Sequence, residues 1–169
     1  HASASESAHV LLEAVKKDLK PLDIVTRKSI ENAVSLIMAT GGSTNAALHL
    51  PAMANEAGIK FDLFDVAEIF KRTPYIADLK PGGQYVAKDV YDIGGIPQVL
   101  KALMEGGYLH GDCLTVTGKT MAENLKRVKP YPKGQEIIRP LDNPIKKDSH
   151  LVVLYGNLAL EGCIVKTAG

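Results

Sequence analysis

The sequence predicts a mostly α-helical chain that closes with a short β-rich segment. Three observations lead there. Apolar residues recur at helical spacing through most of residues 1–128. Residues 129–149 then carry Pro130, Pro132, Pro140 and Pro144 among many charges, with little period. Beyond them, residues 151–155 and 163–165 are β-favouring apolar runs around a loop at 156–162. The chain therefore divides into a helical part at 1–128, an extended and exposed linker at 129–149, and the start of a β-rich unit at 150–169. That last unit holds too few strands to form a sheet core alone.

Residues 2–17 read as an amphipathic helix. Val10, Leu11, Ala14 and Val15 make its apolar stripe, and Lys16, Lys17 and Lys20 a basic face. Pro21 ends it. Asp23 or Thr26 can start the next helix, which runs to Met38 with Ile30, Ala33, Val34 and Ile37 at helical spacing. Thr40-Gly41-Gly42-Ser43-Thr44-Asn45 follows. Two glycines disfavour a helix interior and suit a sharp turn. Residues 46–57, apolar on nearly every side, read as a second, buried helix. Pro51 would kink or restart it, and Gly58 closes it.

Asp62 with Asp65 marks another helix start, with Val66, Ile69 and Phe70 on its apolar face and Pro74 as its stop. Residues 75–85, with Pro81-Gly82-Gly83, read as a turn-rich surface loop. Short helices are predicted at 86–93 and 97–105, the second closed by Gly106-Gly107. Residues 114–117 read as a short strand and 120–128 as helix.

Of the 169 residues, 46% are hydrophobic and 23% charged, which fits a soluble globular protein with a real core. A net charge of +1 gives no footprint for nucleic acid or an anionic membrane. No apolar run reaches the length of a membrane span. Two cysteines, Cys113 and Cys163, suggest a reducing, cytoplasmic setting. A first residue of His1 and an end inside the β unit suggest a fragment or a processed product.

The glycine turn is the leading candidate site. Ser43, Thr44 and Asn45 are helix-capping types, and a helix start with free amides is a ready seat for a carboxylate or phosphate. An ordinary interhelical cap explains the same residues. His49, one turn after Asn45, would face the same side, as a ligand contact or as a core histidine bonded to a carbonyl. The candidate pocket residues are thus Gly42, Ser43, Thr44, Asn45 and His49. Thr117-Gly118-Lys119-Thr120 is no phosphate loop, because position 113 is Cys where that loop needs Gly. His110-Gly111-Asp112-Cys113 admits a reactive thiol beside an imidazole, or a turn around a buried cysteine. Histidines are otherwise scattered, and no Cys-x-x-Cys occurs.

Several stretches together resemble the dihydroxy-acid dehydratase family. They are Ser29-Ile30-Glu31-Asn32-Ala33, Gly41-Gly42-Ser43-Thr44-Asn45-Ala46 with Leu48-His49-Leu50, Asp78-Leu79-Lys80-Pro81, and Gly94-Gly95-Ile96-Pro97. His110 to Thr120 and Gly156-Asn157-Leu158-Ala159 with Glu161-Gly162 continue the match, which runs in order from about residue 21 to 169. Leu160 stands where the family usually has Pro, and Pro51 where it often has Leu. The resemblance implies an α/β family fold, with this stretch mostly helical and its end beginning a carboxy-terminal β-barrel domain.

It also implies an activity for the intact protein: dehydration of 2,3-dihydroxy acids to 2-oxo acids in branched-chain amino-acid synthesis. An iron–sulfur cluster and Mg2+ would serve the whole enzyme, a small dihydroxy acid would be its substrate, and it would form a homo-oligomer, dimer or tetramer. The family's cluster cysteines and magnesium ligands belong upstream, and its base serine downstream. The resemblance therefore places no catalytic or metal residue in this segment, which is expected to bind neither cofactor and to be inactive alone. A pentonate-type sugar-acid dehydratase and a non-catalytic binding module are the alternatives.

Overall fold

The computed structural model describes residues 2–148 and 150–167. Eight helices precede a two-stranded sheet among them. The helices are α1 (Ala2–Lys16), α2 (Pro21–Ile24), α3 (Arg27–Ala39), α4 (Ala46–Glu56), α5 (Leu63–Arg72), α6 (Ala87–Asp92), α7 (Ile96–Glu105) and α8 (Met121–Leu125). The strands are β1 (Leu151–Gly156) and β2 (Ala159–Lys166). A mostly helical chain with a short C-terminal β segment is what the residue pattern predicts. No helix is long and apolar enough to cross a membrane, among the described residues.

Local chemistry sets the helix starts. Thr26 accepts from Ser29 N (3.2 Å), while Ser29 Oγ accepts from Thr26 N (2.9 Å). Asp62 and Asp65 make the same reciprocal pair before α5, as do Thr120 and Glu123 before α8. Each pair satisfies donors that a helix start leaves open. Gly58, at φ +69°, ends α4. That helix runs through Pro51 without a restart, giving up the one bond that residue 51 would have made to Ala47.

α3 is the central element, packed on α4, α5 and α7. On one side Ile30, Val34 and Met38 meet Ala54, Phe61, Val66, Ile69, Phe70 and Leu151. On the other, Ala39 meets Ile76, Ala77, Ile93, Val99, Leu103 and Ile138. Arg27 ties the start of α3 to α5, through Asp65 (2.6 Å) and the carbonyl of Lys60 (2.8 Å).

Several expectations are corrected. Residues 75–77 are not surface loop: Tyr75, Ile76 and Ala77 are buried. The N–H groups of Ile76 and Ala77 both donate to the carbonyl of Ala39, at 3.0 and 2.9 Å. Nor are residues 129–149 uniformly exposed. Residues 129–134 are, but Ile138 lies in the core, and Arg139 N donates to Ile76 O (2.8 Å) and Ile145 N to Tyr75 O (2.9 Å). Two stretches without period thus pair with each other, each supplying what the other's backbone lacks. Position 149, the end of that predicted linker, lies outside the described residues, as do 1, 168 and 169.

Residues 114–117 form no strand beyond a single bridge of Leu114 to Thr120. Thr115 N donates to Lys119 O (2.9 Å), and Thr115, Thr117 and Asn124 bond one another, so the backbone closes locally. The helix after it stops at Leu125 rather than 128.

The predicted loop at 156–162 is only the two-residue turn Asn157-Leu158, because Gly156 pairs with Ala159. A bulge then takes up the slack before Leu154 pairs with Cys163, and Gly162 sits in it at φ +90°. α4 is not buried all round: Ala54 alone among its residues is buried, and Leu48 and Met53 are exposed. The apolar stripe of α1 is only half covered, with Leu11 and Val15 exposed and a 630 Å³ groove between it and the turn at Val116 and Thr117.

Candidate functional site

The glycine turn is built as a helix stop followed at once by a helix start. Gly41 takes φ +69°, and Gly42 N donates back to Ile37 O (3.0 Å). This is the left-handed closure that glycine makes without strain. Thr40 Oγ1 donates to Leu36 O (2.8 Å). A side chain at 41 would meet the Tyr75 hydroxyl at 2.9 Å, and one at 42 would meet Ile37 Cγ2 at 2.7 Å. Both glycines are therefore required by space, and Gly41 also by backbone angle.

The helix start differs from expectation. Asn45 occupies the cap position of α4 in helical geometry, and its side chain caps nothing. Ser43 does the work instead: its Oγ accepts from Asn45 N (3.2 Å) and its carbonyl from Ala46 N (3.2 Å). Ala47 N and Leu48 N donate to the carbonyls of Thr44 (3.1 Å) and Asn45 (3.1 Å). The first amides of α4 are thus engaged within the turn. What it offers outward is side chains: Ser43 and Asn45 are exposed and Thr44 half-buried. His49 N donates to Asn45 O (2.9 Å), and its imidazole is exposed rather than set in the core.

The structure brings three further residues to this turn. His150, fully buried, places Nε2 3.3 Å from the carbonyl of Gly42. Lys166 Nζ donates to the carbonyl of Gly41 at 3.4 Å. Tyr75 stacks at a tilt on His150, with ring centroids 5.1 Å apart, and its hydroxyl donates to Asp78 Oδ1 (3.2 Å). Burial pushes the His150 imidazole below its ordinary value, and the Lys166 and Lys146 charges act the same way against the carbonyls of Gly42 and Met38. Burial likewise pushes the Tyr75 hydroxyl up to about 12, with Asp78 adding to it. Sequence reasoning missed these partners, because they lie far along the chain from the turn. The one available signal was a histidine directly ahead of the first β-favouring run.

The 110–113 turn is anchored on α3 by the buried Asn32, with Cys113 buried, His110 half-buried and Asp112 exposed. Asn32 Nδ2 donates to His110 O (2.9 Å), and His110 N donates to Asn32 Oδ1 (2.8 Å). His110 Nε2 lies 2.6 Å from Glu31 Oε2, and Arg27 Nε donates to Glu31 Oε1 at 2.8 Å. Cys113 is buried beside Asn32, and burial raises its thiol pKa, so it is a poor nucleophile. No group of three or more His, Cys, Asp or Glu that could hold a metal ion occurs among the described residues.

Residues 1–124 match a family model described as dihydroxy-acid/6-phosphogluconate dehydratase N-terminal, and residues 136–169 match the C-terminal model of the same family. A protein named dihydroxy-acid dehydratase 2 from Bradyrhizobium diazoefficiens is 62% identical over 159 residues, covering 94% of this chain and 28% of its own length. The dihydroxy-acid dehydratase of Pelagibacter ubique is 61% identical over 163 residues (96% and 28%), and that of Parvibaculum lavamentivorans 57% over 166 (98% and 29%). The chain spans less than a third of the length of these relatives.

Proposed function

The chain belongs to the dihydroxy-acid/6-phosphogluconate dehydratase family, and on that footing we propose that it is a segment of a hydro-lyase that converts a 2,3-dihydroxy acid to a 2-oxo acid. In that reaction the C2 proton and the C3 hydroxyl leave as water, and the enol that remains takes a proton at C3 and gives up its C2 hydroxyl proton to become the ketone. The substrate would be the dihydroxy acid of branched-chain amino-acid synthesis, and the setting cytoplasmic. The intact protein would be a homo-oligomer. Relatives at about 60% identity that carry the dehydratase name support this reading.

The described residues do not fit an iron–sulfur cluster or a magnesium ion. Cys113 is buried against Asn32, Cys163 is exposed on β2, and neither belongs to a group of three or more candidate ligands among the described residues. We assign both groups to other parts of the intact enzyme. This segment would supply a wall of the substrate pocket: Gly42, Ser43, Thr44, Asn45 and His49. The observation that carries this role is the division of labour in the turn. Its amides and Ser43 hold the helix start, which leaves the Thr44 and Asn45 side chains as donors for a carboxylate or hydroxyl.

The test is Thr44→Ala and Asn45→Ala in the full-length enzyme, beside Ser43→Ala. The first two should raise KM about tenfold with little change in thermal stability, as loss of one or two hydrogen bonds to a charged group implies. Ser43→Ala should chiefly cost stability, about 1 kcal/mol, as a lost cap does. Normal KM in both Thr44 and Asn45 variants would leave the turn a plain interhelical connection.

A further inference from the structure

We infer that His150, with Lys166, is a positioning residue for the substrate wall at residues 43–45, acting through the carbonyls of Gly42 and Gly41. The assignment rests on the reading of that turn as a pocket wall, and deepens it. The argument begins with the carbonyls that α3 leaves open at its C-terminal end. Leu36 O is taken by Thr40 Oγ1, Ile37 O by Gly42 N, and Ala39 O by the N–H groups of Ile76 and Ala77. Beyond the C-cap residue Thr40, the carbonyls of Gly41 and Gly42 receive no backbone N–H among the described residues. The donors come from the β hairpin instead: Lys166 Nζ at 3.4 Å and His150 Nε2 at 3.3 Å.

This contact has a geometry that a loose surface bond lacks. His150 has no exposure, and Tyr75 packs on its ring while the Tyr75 hydroxyl lies against Gly41. A bond to a carbonyl fixes Nε2 as the protonated nitrogen. Nδ1 is buried with no hydrogen bond of good geometry, and the Met38 carbonyl acts on the ring beside that of Gly42. Burial favours the neutral ring, which donates from Nε2 to the Gly42 carbonyl. Its anchor reaches further through the chain: Leu151, the next residue, lies in the α3–α5 core. The turn is held from its inner side by a part of the chain that folds with the core. On its outer side Ser43 holds the helix start, and the Thr44 and Asn45 side chains are left to meet a ligand. A cationic ammonium at the C-terminal end of α3 is also favoured by the helix dipole.

The experiment is His150→Leu, His150→Gln and Lys166→Met in the full-length dehydratase. It is read by amide exchange at residues 42–45, by KM and kcat for dihydroxyisovalerate, and by melting temperature. Glutamine keeps a donor with reach towards Gly42 O. The expected result for His150→Leu is faster exchange at 42–45, unchanged exchange in α5, and a KM raised about tenfold with kcat nearly unchanged. Glutamine should restore most of both. A merely structural role would lower the folded fraction, and so the apparent kcat, without moving KM. If the leucine variant does not fold, Lys166→Met at a half-buried position gives the same readouts. Unchanged exchange and KM in the His150 and Lys166 variants, with Thr44→Ala still raising KM, overturns this assignment alone. Faster exchange with unchanged KM in every variant, Thr44→Ala included, overturns the wall and this assignment with it.

Discussion

Asn32 and His110 are joined by two hydrogen bonds that use the whole carboxamide. Nδ2 donates to the His110 carbonyl at 2.9 Å, and Oδ1 accepts from the His110 N–H at 2.8 Å. Asn32 is buried in the middle of α3, so it pins the 110–113 turn to the central helix. Asn32→Ala should cost about 2 kcal/mol, because it leaves two half-buried backbone groups of His110 without their partner. Chemical denaturation of the variant measures this, and a loss under about 0.5 kcal/mol would show that water replaces the side chain freely.

Gly41→Ala should be costly for two separable reasons. The backbone sits at φ +69°, which costs an L residue about 1–2 kcal/mol. The new Cβ would also meet the Tyr75 hydroxyl. Tyr75→Phe in the same background should relieve part of the second cost, since ring carbons at 3.0 and 3.2 Å remain, and leave the first. A full rescue by phenylalanine would mean that the backbone angle is not strained.

These two examples show what a sequence can and cannot disclose. Asp62 acts on amides within three residues, so its cap was legible, and Thr26, one of two starts the residues offered, acts the same way. Gly41, Gly42 and Gly58 mark their turns equally locally. Residues 75–77 and 137–146 were not legible as partners: neither carries a period, and each finds its hydrogen bonds in the other. α4 misled for another reason. An all-round apolar helix announces burial, yet Leu48 and Met53 are exposed on this chain. The turn was found from its residue types, but its engaged amides and its His150 contact needed three dimensions.

Acid should loosen the hairpin from the turn. The His150 pKa is lowered by burial, with the Lys166 and Lys146 charges adding to it. The unfolded chain then binds more protons than the folded one as pH drops through the ordinary value of 6.5. Stability is therefore full above that pH and lost below it. His150→Gln should flatten the fall between about pH 7.5 and about pH 5.5, read by denaturation midpoints. An identical fall in the variant would assign the loss elsewhere.

Acid should act again on Glu31, lower down. Burial raises its pKa, but hydrogen bonds from Arg27 and His110 and their charges outweigh that and leave it below the ordinary 4.5. Its contribution is present above that value and lost as pH falls through the lowered one. Glu31→Gln should reduce the loss of stability below about pH 4.5. An unchanged acid limb would mean that the pair with Arg27 and His110 contributes nothing net.

The two thiols should behave differently towards an alkylating reagent. Cys163 is exposed on β2, whereas Cys113 is buried with a raised pKa. Native protein should take label at Cys163 at least about tenfold faster, and Cys113 should follow only on unfolding. Equal rates, located by peptide mapping, would place the 110–113 turn in exchange with an open form.

Leu151 and Ile138 sit in cores whose other buried members come from residues 30–103. The family boundary between the two matched models falls before both of them. A nascent chain that has emerged only as far as residue 124 can form α3, α5 and α7 but cannot seal either core. Its apolar faces wait for residues still inside the ribosome, and closure depends on contacts distant in sequence, which form slowly. The C-terminal stretch is in this sense the last stone of the helical body, and the folding of one family unit is completed by the synthesis of the next.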